Sequence, residues 1–170
     1  MEREEIIRKI TEKYVSPPEG EDERDEYFMR CALELAAAAA EEDEVPVGAV
    51  VVRDGVIVGA DYNGRENKKD ALYHAETAAV HRACGALHGW RLIGCDIYVT
   101  LEPCPMCAGA IVNARIPQVY FGAYDAKNGC CGSVANVLEL EYGYHPSCEG
   151  GIMEEECAAI MSDFFKRLRK

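Results

Sequence analysis

Four residues stand at spacings that suit metal-assisted hydrolysis: His74, Glu76, Cys104 and Cys107. Cysteines three apart on a helical turn lie about one turn over each other, so both sulfurs can reach one ion. A single histidine, at position 74, completes a set of three protein ligands. Three ligands rather than four is the pattern of a catalytic zinc site, whose fourth tetrahedral position is left for water. Taken alone, Cys-x-x-Cys fits a redox or structural pair equally well. His-x-Glu alone carries almost no information.

The elements around these residues must bring them together. His74 and Glu76 are about 200° apart around a helix, so they cannot share a lateral face. They converge only if the site lies off a helix N-terminus, with Glu76 in the first turn. Pro103 reads as a first-turn residue of a second helix, because proline there needs no intrahelical N–H partner. Two helix N-termini would then point at a site rich in negative charge, which their dipoles favour. The joint string His-x-Glu…Pro-Cys-x-x-Cys is the recurrent signature of zinc-dependent nucleobase deaminases, with the glutamate as an acid/base that is not a ligand. On that reading one zinc per chain lowers the pKa of bound water toward ~7. Glu76 takes the proton, passes it to a ring nitrogen, and helps the amine leave as ammonia.

Periodicity supplies the frame. A short helix over residues 2–14 places Ile6, Ile7, Ile10 and Tyr14 on one side, and the Pro- and acid-rich stretch 16–23 reads as a linker. A stronger helix runs from about Asp25 to Glu42, with Phe28, Ala32, Leu35 and Ala39 on its buried side. Val47–Val52 and Val56–Val58 flank Arg53-Asp54-Gly55, a strong hairpin signal. Then come a helix over 74–84, a strand over 97–101, a helix over 106–114 and a strand over 119–122. The order ββαβαβ implies an α/β fold with a mixed sheet and helices on its faces. In the last helix, 154–169, Cys157, Ile160, Met161, Phe164, Phe165 and Leu168 form one apolar stripe. Residues 1–24 thus read as an extension and 25–170 as the catalytic domain.

Of 170 residues, 49% are apolar, enough for one globular domain. No apolar run approaches a membrane span, and the charged N-terminus is unlike a signal peptide. Nine cysteines, an odd count, fit a reducing cytoplasm better than a disulfide framework. The net charge of −12 resides mostly in residues 1–44, with 15 acids against 6 bases. Such a balance opposes nonspecific nucleic-acid binding without excluding a local basic site. Lys166, Arg167, Arg169 and Lys170 could be that site, although bases at a helix end are also what the helix dipole favours. Cys130, Cys131 and Cys148 read as buried or spare thiols rather than a second metal site.

The runs Val45-Pro-Val-Gly-Ala-Val50, Asn63, His74-Ala-Glu76, Thr100-Leu-Glu-Pro-Cys-Pro-Met-Cys-Ala-Gly-Ala110, Arg115-Ile116, Phe121-Gly122, Asp125-Ala-Lys127 and Gly151–Arg169 resemble the bacterial tRNA-specific adenosine deaminases. These belong to the cytidine/deoxycytidylate deaminase superfamily. The likeness covers about residues 25–170. It implies a three-layer α/β/α sandwich, cytidine deaminase-like, and a cytoplasmic homodimer. It also implies hydrolysis of the wobble adenosine of a tRNA anticodon stem-loop to inosine. By position, Asn63 would bond the flipped nucleotide, an amide suiting an adenine edge. Val47 would line the base pocket, and the Ala75 N–H would face the base. From the residues alone Asn63 also reads as a turn residue, and Val47 as core. Tyr73 stands where the family has a small residue; stacking on a loop nucleotide and narrowing the pocket are the two readings. Tyr144-His145 replaces an Asn-His pair, and residues 1–24 have no counterpart. Two other readings stay open: a deaminase of a free nucleobase, nucleoside or nucleotide, and a silent zinc subunit, which the presence of Glu76 opposes.

Overall fold

The computed structural model describes residues 1–141 and 143–170. Strands β1 (Gly48–Arg53) and β2 (Val56–Tyr62) form the expected hairpin. Its turn residues Asp54 and Gly55 both take positive φ, 50° and 76°, as a two-residue turn that follows strand twist requires. β1 pairs antiparallel with β3 (Cys95–Leu101), which pairs parallel with β4 (Gln118–Ala123). A short fifth strand, β5 (Ser147–Glu149), extends the order to β2-β1-β3-β4-β5. The periodicity reading missed β5, whose three residues are all exposed and carry no alternation. The sheet is mixed, as expected.

Helices cover both faces. Ala49, Val51, Ile97, Val99, Val119 and Phe121 point to one side, against α4 (Ala75–Ala86) and α5 (Pro105–Asn113). Val50, Val52, Tyr98 and Tyr120 point to the other, against α1 (Arg3–Thr11), α2 (Glu21–Glu41) and α6 (Glu154–Leu168). Alternation within one strand therefore feeds two cores, giving the three-layer α/β/α sandwich. Contact is close on both faces. A Cβ on Gly48 would lie 2.0 Å from Ala32 O on α2, and one on Gly59 would lie 2.3 Å from Ala79 O on α4. Alanine-rich faces on both helices permit that approach.

Helix α2 begins at Glu21, four residues earlier than the sequence reading places it. Three acids in its first turn suit the helix dipole, which favours helix there over a solvated linker. On α6 the apolar stripe is only partly used. Cys157 and Phe164 are buried, whereas Phe165 and Leu168 are exposed. A four-residue helix, α3 (Arg65–Lys68), follows β2 and was not foreseen.

Candidate active site

Both helices that carry the expected ligands start at the same place. His74 is the N-cap of α4, with extended backbone (φ −88°, ψ 157°), and Glu76 falls in the first turn. The His74 amide donates to Thr77 Oγ1 at 3.2 Å, which holds this entry turn. Cys104 is the N-cap of α5, also extended (φ −73°, ψ 175°), and Cys107 lies in its first turn. The first-turn proline is Pro105, not Pro103 as the sequence reading has it. Pro103 precedes the cap, and its carbonyl accepts from the Cys130 amide at 2.8 Å. Helix dipoles and unpaired first-turn amides therefore converge on one point.

There His74 Nδ1 lies 3.6 Å from Cys104 Sγ and 3.5 Å from Cys107 Sγ. Among the described residues these three form the one His/Cys/carboxylate group compact enough to hold a metal ion. Zinc with an N ligand at ~2.05 Å and an S ligand at ~2.3 Å has a tetrahedral N···S edge of about 3.6 Å, which matches. The Cys104 thiol is pushed down to about 4, chiefly because the Cys107 S–H donates to it, with His74 adding to the effect. Cys107 is pushed up by the same bond and by burial. One thiolate thus stands ready, and a divalent ion would remove the second proton. Glu76 is buried, and burial raises its carboxyl to about 7.

A cavity of about 730 Å³ opens onto this cluster. It brings together His74, Glu76 and Cys104 with Val47, Asn63 and Ala75, all six expected from sequence. Asn63 Nδ2 donates to Val45 O at 3.3 Å and to Glu44 Oε2 at 3.5 Å. Its Oδ1 is buried with no hydrogen-bond partner among the described residues, an unusual state for a buried acceptor. Tyr73 is not in the cavity. Its hydroxyl donates to Asp61 Oδ2 at 3.0 Å on the far side of the α4 N-terminus. Lys166, Arg169 and Lys170 are exposed at the end of α6. Arg167 instead caps α2, donating to Ala40 O at 2.9 Å and Asp43 Oδ1 at 3.2 Å.

Other residues that line the cavity or hold its walls escaped the sequence reading. Buried Glu102 accepts from the amides of Asp125, Cys131 and Ser133 at 3.1–3.3 Å, which holds the loop forming the opposite wall. Buried Glu44 does the same for the amides of Glu66 and Asn67 on α3. Arg65 and Lys127 bring cations to the mouth, and Met161 and Phe165 reach it from α6. Only a buried carboxylate with several backbone donors marks Glu44 and Glu102, and that pattern exists only in three dimensions.

Fold and site together define a deaminase with a cytidine deaminase-like architecture. A family model described as MafB19-like deaminase matches residues 23–169. The chain is 46% identical over 148 residues to a tRNA-specific adenosine deaminase of Bacillus subtilis, covering 86% of this chain and 92% of that one. It is 42% identical over 151 residues to the tRNA-specific adenosine deaminase of Aquifex aeolicus, covering 85% and 95%. A solved structure from work on A-to-I editing by tRNA:A34 deaminases at the wobble position superposes with a TM-score of 0.76 at 44% identity, covering 79% and 98%. The chain belongs to the tRNA-specific adenosine deaminase family. The matched region begins at residue 23 and leaves α1 outside it.

Proposed function

We propose that this protein hydrolyses the wobble adenosine of a tRNA anticodon loop to inosine, releasing ammonia. The observation that carries the reading is the Asn63 Oδ1 acceptor, orphaned in the cavity that holds Glu76 and the His74/Cys104/Cys107 cluster. His74, Cys104 and Cys107 would hold one zinc ion per chain. When bound, that ion supplies the Lewis acidity that makes water a competent nucleophile near neutral pH.

The chain's own groups do the rest. Glu76, with a carboxyl poised near neutrality, accepts the proton of the attacking water and delivers it to the ring nitrogen. It then takes the proton of the newly added hydroxyl and gives it to the departing amine, which leaves as ammonia. Asn63 Oδ1 accepts a hydrogen bond from the substrate, Val47 packs on the base, and the Ala75 N–H at the helix start faces it. Arg65 and Lys127 at the mouth suit the phosphates of a loop. An anticodon loop suits a recessed site because its base is extruded without breaking a pair. Among the described residues no helix is long and apolar enough to cross a membrane. The nine cysteines are free, which fits action in the reducing cytoplasm. Homodimeric assembly is part of the same reading, on the strength of the resemblance.

The test compares a synthetic anticodon stem-loop bearing A at the wobble position with free adenosine and free cytidine. Inosine should form in the stem-loop, with KM rising as salt is added, while the nucleosides hardly react. Fast turnover of a nucleoside with none of the stem-loop would overturn the RNA reading in favour of a free-nucleoside deaminase.

A further inference from the structure

Helix α1 lies outside the region that defines the family, yet its first residue reaches the edge of the active site. The Arg3 guanidinium, with its side chain 10% exposed, uses every face. Nε donates to Asp61 Oδ1 at 3.0 Å, and Nη1 donates to Glu42 Oε2 at 3.2 Å. Nη2 donates to the carbonyls of Tyr62 and of Asn63, the latter at 3.1 Å. Its Cζ lies 3.6 Å from the centre of the Tyr62 ring and 5.1 Å from that of Tyr73. The Asp61 carboxylate, wholly buried, also takes Arg82 Nε at 2.7 Å and the Tyr73 hydroxyl at 3.0 Å. Arg82 in turn grips Glu4, on α1, with both terminal nitrogens.

One cation therefore touches the two chain segments that feed the site: residues 61–63, ending in Asn63, and Tyr73, which precedes His74. These segments are themselves joined, since the Gly64 amide donates to Tyr73 O at 3.3 Å. Asn63 lies between the end of β2 and the start of α3, past the last paired residues of the hairpin strands. A binding amide there needs an outside anchor for its main chain. The Asn63 amide is held by Val47 O at 2.9 Å, and its carbonyl by Arg3. A lysine could supply the charge beside Asp61, but not the planar fork that reaches two carbonyls and a second carboxylate.

We propose that Arg3 is a positioning residue of the deaminase site, through which the N-terminal extension fixes the Asn63 main chain so that its side-chain amide faces the substrate. The inference rests on the assignment of Asn63 as a substrate-binding group. Arg3 touches no reacting atom, so its loss weakens binding, with chemistry at Glu76 left intact. KM and kcat should therefore separate.

The test uses the full-length, zinc-loaded protein and the adenosine-bearing stem-loop. R3A should raise KM about five- to tenfold with kcat within twofold, a ground-state effect, and leave zinc content unchanged. Amide exchange at Asn63 and Gly64 should quicken at least tenfold, reporting the loosened segment. R3K, which keeps the charge for Asp61, should melt close to wild type yet shift KM and exchange in the same direction. It carries the test if R3A does not fold. Y14F, which removes a 2.7 Å bond between Tyr14, three residues beyond α1, and Glu34, should leave KM unchanged. Unaltered KM and exchange in R3K, equal losses in kcat and kcat/KM, or the same KM rise in Y14F would each overturn the proposal. If wild type fails to edit the stem-loop, the functional reading falls. The exchange arm still decides whether Arg3 clamps Asn63.

Discussion

Replacing Asn63 by alanine should separate binding from folding. In the protein its Nδ2 makes two long hydrogen bonds, 3.3 Å to Val45 O and 3.5 Å to Glu44 Oε2, while Oδ1 has none among the described residues. A buried acceptor without a partner costs roughly 1–3 kcal/mol, whereas an ordinary hydrogen bond contributes about 0.5–1.5 kcal/mol net. Truncation removes the cost together with two stretched bonds, and Glu44 keeps the amides of Glu66 and Asn67. These effects nearly offset, so N63A should melt within about 1 kcal/mol of wild type. Catalytic efficiency behaves differently. A substrate donor that reaches Oδ1 satisfies the orphan, and losing that gain of ~1–3 kcal/mol lowers kcat/KM by about 5- to 150-fold. Steady-state kinetics on the stem-loop, chemical denaturation and elemental zinc analysis read the three quantities. Unchanged kcat/KM together with a stability loss above about 2 kcal/mol would show Asn63 to be a turn residue of the Tyr-Asn-Gly sequence and refute the binding assignment.

E76Q should retain zinc and fold, yet lose turnover by about 10² or more, because the amide keeps the shape of a buried carboxyl but cannot shuttle protons; single-turnover inosine formation checks this, and normal ammonia release would exclude the role. C104A should reduce zinc from one per chain to none, as should a strong chelator with wild type, by elemental analysis; retained zinc would break the ligand assignment. Asp25 is buried beneath Tyr98, whose hydroxyl donates to it at 2.7 Å. Burial raises its carboxyl above the usual value despite that bond. A raised folded-state pKa means that ionisation destabilises the fold as pH climbs from the unfolded value, ~3.9, through the raised one. D25N, which keeps an acceptor for Tyr98, should therefore melt higher than wild type at neutral pH, and the difference should vanish below about pH 4. A constant difference across pH would assign the effect to something other than ionisation.

Local chemistry made much of this protein legible before any coordinates. The Asp54-Gly55 turn, the β-branched runs and the alanine-rich α2 announce their own conformations, because backbone preference and alternation act over a few residues. The ligand set was equally open: His74 and Glu76, two apart at a helix start, can converge only off its N-terminus, which is where they meet Cys104 and Cys107. What tertiary structure alone decided involves partners distant in sequence. Glu44 and Glu102 look like ordinary acids until the fold buries them and turns backbone amides toward them. Tyr73, adjacent to His74, is turned away from the cavity because Asp61, buried without solvent, draws its hydroxyl. Arg167 reads as an RNA contact, but the end of α2 lies within its reach and offers the Ala40 carbonyl and the Asp43 carboxylate. The extension carries no chemical motif, and its contact with the Asn63 carbonyl spans 60 residues of chain. Spacing along a sequence reports only neighbours that one helix turn or strand pair brings together. Which charges are stripped of water, and what must then neutralise them, is set by how the layers close.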